Sequence, residues 1–525
     1  MGGSLMPSCL VLERPGRWRI AGLVIVALVL VTPAVPLLVG ALGAVGREDL
    51  VLAGYLVDLG VSALVGLVAA VLGFAVGWPS GVIAGLYSFR GRALLLALLT
   101  LPLLLPSFLL GLGWSILGAH LPGPLMFFLD GVPGVILVFF APACGLTALA
   151  ALAATLGLSA SRLDAARLAG GEGAMIRAAL GHAAPVSILT AVLAMVLSMG
   201  DPGPGQIFGV RTAAADLLVS FSATYDFELA GLQCVLLAMV VLVVAVPLAI
   251  RLAPELARAT PARSTGRPGR VSEGGARWVF PLWGLAGGAV VLPVISLVLP
   301  MLDGPYLARA AGDFSGTMLD TMIFGGGAAL SAVVVGVVVA VCAGREERLR
   351  QAAVAVAVAL FCLPPALSAL GAVRIATVAP HWLDPILRGS AGVCLAQGLR
   401  LAPLAVILLL RAWGATAPSW TQAAAVSGVG LTTFLRRVLL PVLGPAMAIS
   451  GLLVALLASA DVGSVLLLAP PGRSGFALRI FTVMANAPQA LVATLCCIYV
   501  VVAVVGVAVL LRWGLKDEGG RMKDE

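Results

Sequence analysis

Twelve apolar windows, near 20–42, 60–86, 93–119, 131–157, 184–200, 229–250, 278–302, 321–343, 351–373, 389–410, 438–460 and 489–511, run through this chain. Eleven contain no Asp, Glu, Lys or Arg, and the tenth holds only Arg400. A stretch of roughly 17–25 such residues spans a bilayer as a helix, whereas a barrel strand needs about 9–11. Lipid offers backbone groups no hydrogen-bond partner, so only helices or closed barrels can span it. Composition agrees. Of 525 residues, 11% are charged, against about 25% in a soluble domain. The sequence predicts an all-α polytopic membrane protein with about 12 transmembrane helices.

Lys and Arg set the orientation, because cytoplasmic loops hold an excess of both. With a cytoplasmic N-terminus, 24 of the 32 fall in inside segments and 7 in outside segments, Arg400 being the remaining one. The net charge of +8 therefore reflects topology, and no nucleic-acid partner is expected. The first window follows Arg14, Arg17 and Arg19 as a signal peptide would, but its apolar run is too long for one, and no cleavage site follows cleanly. It reads as a retained helix. The eight cysteines are scattered with no C-x-x-C pair, which indicates neither a disulfide framework nor a zinc site.

The longest polar stretch, Arg251 to Trp278, is rich in Pro, Gly, Ser and Arg, as linkers are. It separates a first half, 1–252, from a second, 278–525, with 253–277 as a cytoplasmic linker. The halves repeat. Asp164 and Gln422 stand 258 apart, as do Gly170 and Gly428. Arg177 and Arg437 stand 260 apart, as do Pro185 and Pro445, and Asp201 and Asp461. Six spans per half make the repeat parallel, not inverted.

The repeat centres on a polar insert between the fourth and fifth spans of each half, 158–183 and 414–440. Ser419-x-x-Gln422 is a capping box, in which hydroxyl and amide satisfy first-turn N–H groups. Ala423, Ala424 and Ala425 favour helix, and Gly428 stands nine residues after Ser419, where a left-handed C′ residue belongs. Ser161, Asp164, Ala165, Ala166 and Gly170 repeat that spacing. Each insert is expected to form a helix of about eight residues, roughly 12 Å long. A helix so short is marginal alone in water and needs something to dock against. A mere connector between spans is the bland alternative, but an idle connector need not be kept twice.

"TQAAAVSGVGLTTFLRRVLLPVLGPAM" resembles the EAA loop of binding-protein-dependent ABC importer permeases. Gln422, Ala423, Ala424, Gly428, Arg436, Arg437, Leu440 and Pro441 take that motif's places. Asp164, Ala165, Ala166 and Gly170 match in a degenerate first copy, where Arg177 stands alone and Leu-Pro is missing. Both copies lack the family's usual Glu. "QGLRLAPLAVILLLRAWGATAPSWTQAAAVSG" and "ASADVGSVLLLAPPGRSGFALRIFTVM" look like the second half of fused permeases for ferric iron, a plan shared by permeases for thiamine and phosphonates. The resemblance implies a type I (MetI-like) permease fold in a bacterial inner membrane, with both termini cytoplasmic. It implies two cytoplasmic ABC ATPase subunits, each seating one insert as a coupling helix, and a periplasmic or lipid-anchored binding protein. Ferric iron is the first-choice substrate, with thiamine or phosphonate as alternatives.

The chain has no Walker A sequence, since both lysines, Lys516 and Lys523, precede Asp. Energy would come from a partner, and no enzyme activity or cofactor is expected. His120, His182 and His381 stand far apart and suggest no metal site. Arg400 would cost about 2.5–3.5 kcal/mol at the centre of a lipid-facing helix, so it faces protein or water. It is either a pathway residue attracting an anionic or chelated substrate, or a buried Arg bonded to carbonyls. Asp201 and Asp461, at the outer ends of the fifth and eleventh spans, are gate candidates or caps of the next segment. Pro364-Pro365 is expected to break the ninth span. The rival reading is a twelve-helix secondary transporter, which would normally need acidic residues inside the bundle; none lies within the windows, Asp58 and Asp320 being only at span ends.

Overall fold

The computed structural model describes residues 17–44, 52–224, 226–257, 269–270, 276–417 and 419–520. Most of the expected linker, 258–268 and 271–275, lies outside the described residues, as do Arg14, Arg47, Pro418, Arg521 and Lys523. The first half contributes α1 (Arg17–Val31), α2 (Ala34–Ala44), α3 (Leu52–Leu86), α4 (Arg92–Leu104), α5 (Ser107–Ala119), α6 (Gly131–Leu156), α7 (Ala160–Met199), α8 (Gly203–Ile207), α9 (Ala213–Thr224) and α10 (Phe227–Ala257). The second contributes α11 (Ala276–Ser296), α12 (Leu307–Ala343), α13 (Glu347–Phe361), α14 (Pro365–Val378), α15 (Ser390–Gly414), α16 (Ser419–Val426), α17 (Leu440–Ala460), α18 (Val462–Leu468), α19 (Phe476–Met484) and α20 (Gln489–Gly520). A two-residue parallel pairing, Tyr87–Ser88 with Gly269–Arg270, is the sole strand contact among the described residues.

Among the described residues nine helices are long and apolar enough to cross a membrane, and the number reaches twelve when each of three bent pairs is one span. The pairs are α1/α2, bent by 55°, α4/α5, bent by 106°, and α13/α14, bent by 86°. Proline causes the two sharp bends. Its ring drives the preceding residue out of helical geometry. Leu105 is extended at φ −87°, ψ 139°. Pro106 and Pro364 then adopt nearly the same conformation, φ −57°, ψ 134° and φ −56°, ψ 139°. The expected break at Pro364-Pro365 is present, and Pro106 makes its counterpart in the other half.

The helix contacts follow one scheme twice. Within each half, α3 packs on α6 and α7 as α12 packs on α15 and α17, and α4 packs on α6 as α13 packs on α15. Across the halves, α1 lies on α12 and α11 on α3, while α10 meets α13 and α20 meets α4. Two glycines permit this exchange. A Cβ on Gly113 of α5 would sit 2.2 Å from the Pro293 carbonyl oxygen, and one on Gly371 of α14 would sit 2.0 Å from that of Pro33. Gly113 and Gly371 stand 258 apart, and Pro33 and Pro293 stand 260 apart. The Ser296 hydroxyl also donates to the Gly113 carbonyl at 2.6 Å. A further cross-half tie comes from buried Arg19 of α1. Its guanidinium donates to the carbonyls of Cys342, at 2.7 Å, and Ala343. These are the last residues of α12, whose carbonyls have no intrahelical partner.

Gly113→Ala and Gly371→Ala should each lower stability by about 1–3 kcal/mol through overpacking. Gly326→Ala, where a Cβ meets nothing within 4 Å, should be neutral or slightly stabilising. Thermal unfolding in detergent checks this; equal effects at all three positions would contradict the close approach.

Candidate functional site

The two proline breaks meet one cavity. It has a volume of about 550 Å³ and is walled mainly by apolar side chains from both halves. Pro106, Ser107 and Asp201 line it from the first half, and Pro364, Arg400 and Asp461 from the second. The halves touch at its edge, where a Cβ on Gly200 would lie 3.1 Å from Pro365 Cδ and 3.3 Å from Pro364 Cα. The depth follows from helix geometry. Pro106 follows the 13-residue α4, about 20 Å from its start at 1.5 Å per residue. Arg400 stands 14 residues before Gly414, the end of α15, about 21 Å. With the start of α4 and the end of α15 at the membrane surface, both lie inside a hydrocarbon core about 30 Å thick. Non-helical backbone is tolerated at that depth only when buried in protein or lining a cavity.

The gate candidates are brought together, in unequal roles. Asp461 caps α18, its Oδ1 accepting from the Ser464 N–H at 3.2 Å. Its Oδ2 accepts from the guanidinium of Arg400. The Arg400 and Asp461 side chains are 23% and 8% exposed. Arg400 is thus neutralised within its own half, which removes the lone cation that an anionic substrate would seek. Asp201 has no such partner. The Ser107 hydroxyl and the Gly203 N–H both donate to its Oδ1, each at 2.9 Å. Both aspartates therefore accept from N–H groups at the start of the next segment, as the capping alternative has it, and both also line the cavity.

The second insert folds largely as its spacing predicts. α16 is an eight-residue helix, and Gly428 adopts φ +67°. The Val429 N–H donates to the Ala424 carbonyl at 2.9 Å and the Gly428 N–H to that of Ala425 at 3.1 Å. Those two bonds are the Schellman pattern that satisfies the carbonyls of a helix end. Ser419 is the first helical residue, so it stands one place inside the cap position expected of it. Thr421 and Ala425 are buried beneath the helix, Ala424 is half-buried, and Gln422 and Ala423 are exposed. The three alanines therefore face the chain as much as solvent. Arg345 steadies the approach to α16, donating to Thr416 Oγ1 and the Ala417 carbonyl, both at 2.9 Å, and lying over the Trp413 ring. Arg436 and Arg437 are exposed on a single π-helical stretch, Leu435–Leu439, and Pro441 is exposed just inside α17.

The first insert also forms a short helix, 160–169, which the non-helical Gly170–Gly171 kink separates from the rest of α7. It differs from the expectation in two details. Gly171, at φ +70°, takes the left-handed conformation, whereas Gly170 is extended at φ −168°. Two adjacent glycines let the second one turn, which moves the expected position by one. The cap is Ser159, not Ser161, with no side-chain cap bond; Ser161 instead donates to Ser159 Oγ at 3.2 Å. Asp164 and Ala165 are exposed and Ala166 is half-buried.

Sequence reasoning missed the outward tip of each insert. Leu168 is 89% exposed and Val426 91%, and they stand 258 apart. It also missed a duplicated tie on the opposite side. Arg211 pairs with Asp58 at 3.5 Å and Arg473 with Asp320 at 3.3 Å, both members offset by 262. Beside these pairs, Ser62 Oγ accepts from the Ala213 N–H and Thr321 Oγ1 from the Phe476 N–H, each at 2.8 Å. Each pairing fixes the start of α9 or α19 onto α3 or α12. The signal was present as matching Arg and Asp offsets. Among the described residues no group of three His, Cys, Asp or Glu side chains comes together.

Removing one partner of a buried ion pair costs about 3–5 kcal/mol. Arg400→Gln and Asp461→Asn should each destabilise by about that much, and the double variant by clearly less than their sum. Additive losses in thermal unfolding would show that the pair is not coupled. At the second insert, Gly428→Val should cost about 1–3 kcal/mol of local strain and Gly171→Val a similar amount, with Gly170→Val milder. Hydrogen exchange over 419–430 and 160–173 checks the order; a Gly170 effect as large as that at Gly171 would contradict it. No protein-family model, curated protein or solved structure matches the chain.

Proposed function

We propose that this chain is the membrane-embedded permease subunit of an ABC importer, with both halves of a MetI-like plan fused in one polypeptide. The cavity at the junction of the halves is the solute pathway. The inserts are coupling helices for two cytoplasmic ATPase subunits that the chain does not itself contain, and a periplasmic or lipid-anchored binding protein delivers the solute from outside. A bacterial inner membrane with both termini cytoplasmic suits the distribution of Lys and Arg. Ferric iron, thiamine and phosphonates are the solutes that the sequence resemblance suggests.

One observation carries the reading. Two large apolar side chains, Leu168 and Val426, protrude almost fully exposed at repeat-equivalent places on inserts flanked by arginines. A lone exposed apolar side chain is ordinary on a protein surface; what supports a contact here is an apolar tip at the same place on both inserts. Its duplication fits a pair of like partners, as two ATPase subunits would be. The secondary-transporter reading keeps one supporting observation, the two aspartates on the cavity, since ion coupling uses carboxylates at that depth.

The chain isolated from its native membrane with associated subunits should carry ATP hydrolysis. Leu168→Asp and Val426→Asp, at exposed sites that leave the fold intact, should each weaken association by about 2 kcal/mol or more, roughly 30-fold. Uptake into proteoliposomes holding this chain alone, driven by a proton or sodium gradient, would favour the transporter instead.

A further inference from the structure

The charged groups lining the cavity do not cancel. Arg400 and Asp461 form a closed pair, while Asp201 brings a second carboxylate held only by a hydroxyl and a backbone N–H. The formal charge of the lining is therefore one negative unit in an otherwise apolar chamber. Arg400 acts on Asp201 through space without bonding to it, and the Asp461 carboxylate opposes that effect, so a buried carboxylate here still gains from a cationic ligand. Four phenylalanines, Phe108, Phe139, Phe361 and Phe481, also line the cavity. Aromatic rings attract organic cations through their quadrupole, and most strongly away from water. Cavities of about 300–1,000 Å³ suit small organic ligands, and this one, at about 550 Å³, lies within that range.

A bare trivalent metal ion fits these walls poorly, since a hard cation calls for several oxygen ligands. A small anion would find its one guanidinium already engaged. We propose that the cavity binds a small organic monocation with an apolar or aromatic body, Asp201 supplying the counter-charge, the phenylalanines the contact surface, and the Arg400–Asp461 pair a fixed neutral wall. The inference rests on the permease reading for its biological meaning, since it names the class of solute that would pass. Asp201 is the specificity-determining residue.

Benzyltrimethylammonium and benzenesulfonate, matched in size and opposite in charge, serve as probes. Their binding to the full chain in lipid nanodiscs, with empty nanodiscs as baseline, is measured by titration calorimetry. The cation should bind saturably at one site and the anion should not. Asp201→Asn keeps both hydrogen bonds to the side-chain oxygen, so it should fold, yet it should weaken cation binding by about tenfold or more. Asp201→Glu, which keeps the charge, should retain binding within about threefold. Absence of saturable cation binding, equal binding to the Asn variant, or tighter binding of benzenesulfonate would overturn the proposal. ATPase subunits take no part in this titration, so its failure would leave the coupling role of the inserts untouched. Loss of ATPase association would likewise leave the titration unaffected.

Discussion

A peptide group in hydrocarbon has nowhere to place its hydrogen bonds except within its own helix. That constraint shapes the chain from end to end. It keeps charge out of the apolar windows and makes any interruption of a helix at membrane depth a feature that surrounding protein must support. Here two such interruptions, at Pro106 and Pro364, share a conformation and adjoin the same cavity. The segments that follow α7 and α17 reach that cavity with capping aspartates, Asp201 and Asp461. Broken backbone and capping carboxylates around one mainly apolar chamber are thus one solution to one problem, used twice.

The exchange between halves extends the same economy. Each first span packs on the opposite half, and the contact is tight enough that glycine is required at 113 and 371. Arg19 closes the end of α12 from the opposite half. An interlocked pair of halves with a cavity at their junction suits the proposed role, in which partners rock it from outside through two handles. The inserts, anchored from below through Thr421 and Ala425 and tipped by Val426 and Leu168, have the form expected of those handles.

Much of this was legible in the residues. The apolar windows mark the spans because lipid admits no weaker signal. α16 and its Gly428 end could be placed because capping is local chemistry, fixed within nine residues. The Pro364 break was visible for the same reason. Non-local features were not. The bond between Arg400 and Asp461 joins residues 61 apart, and no periodicity forecasts it, so Arg400 read as a lone cation when it is neutralised. The glycine–proline approaches of 113 with 293 and 371 with 33 cross the halves and emerge only when helices are packed. In the first insert the chain uses Gly171 and Ser159 where spacing favoured Gly170 and Ser161.

A chamber at the junction of the halves, opened alternately to the two sides by an ATPase acting on the inserts, is the central claim. The most direct measurement follows a thiol placed on its wall, Ser107→Cys, in the complete transporter with its ATPase subunits. Labelling at position 107 by a membrane-impermeant thiol reagent is compared from each side of the membrane, without nucleotide and with ATP plus vanadate. The account requires that the side giving access switch when nucleotide is trapped, and that Val426→Asp abolish the switch. Labelling from one side only, unchanged by nucleotide, would contradict it.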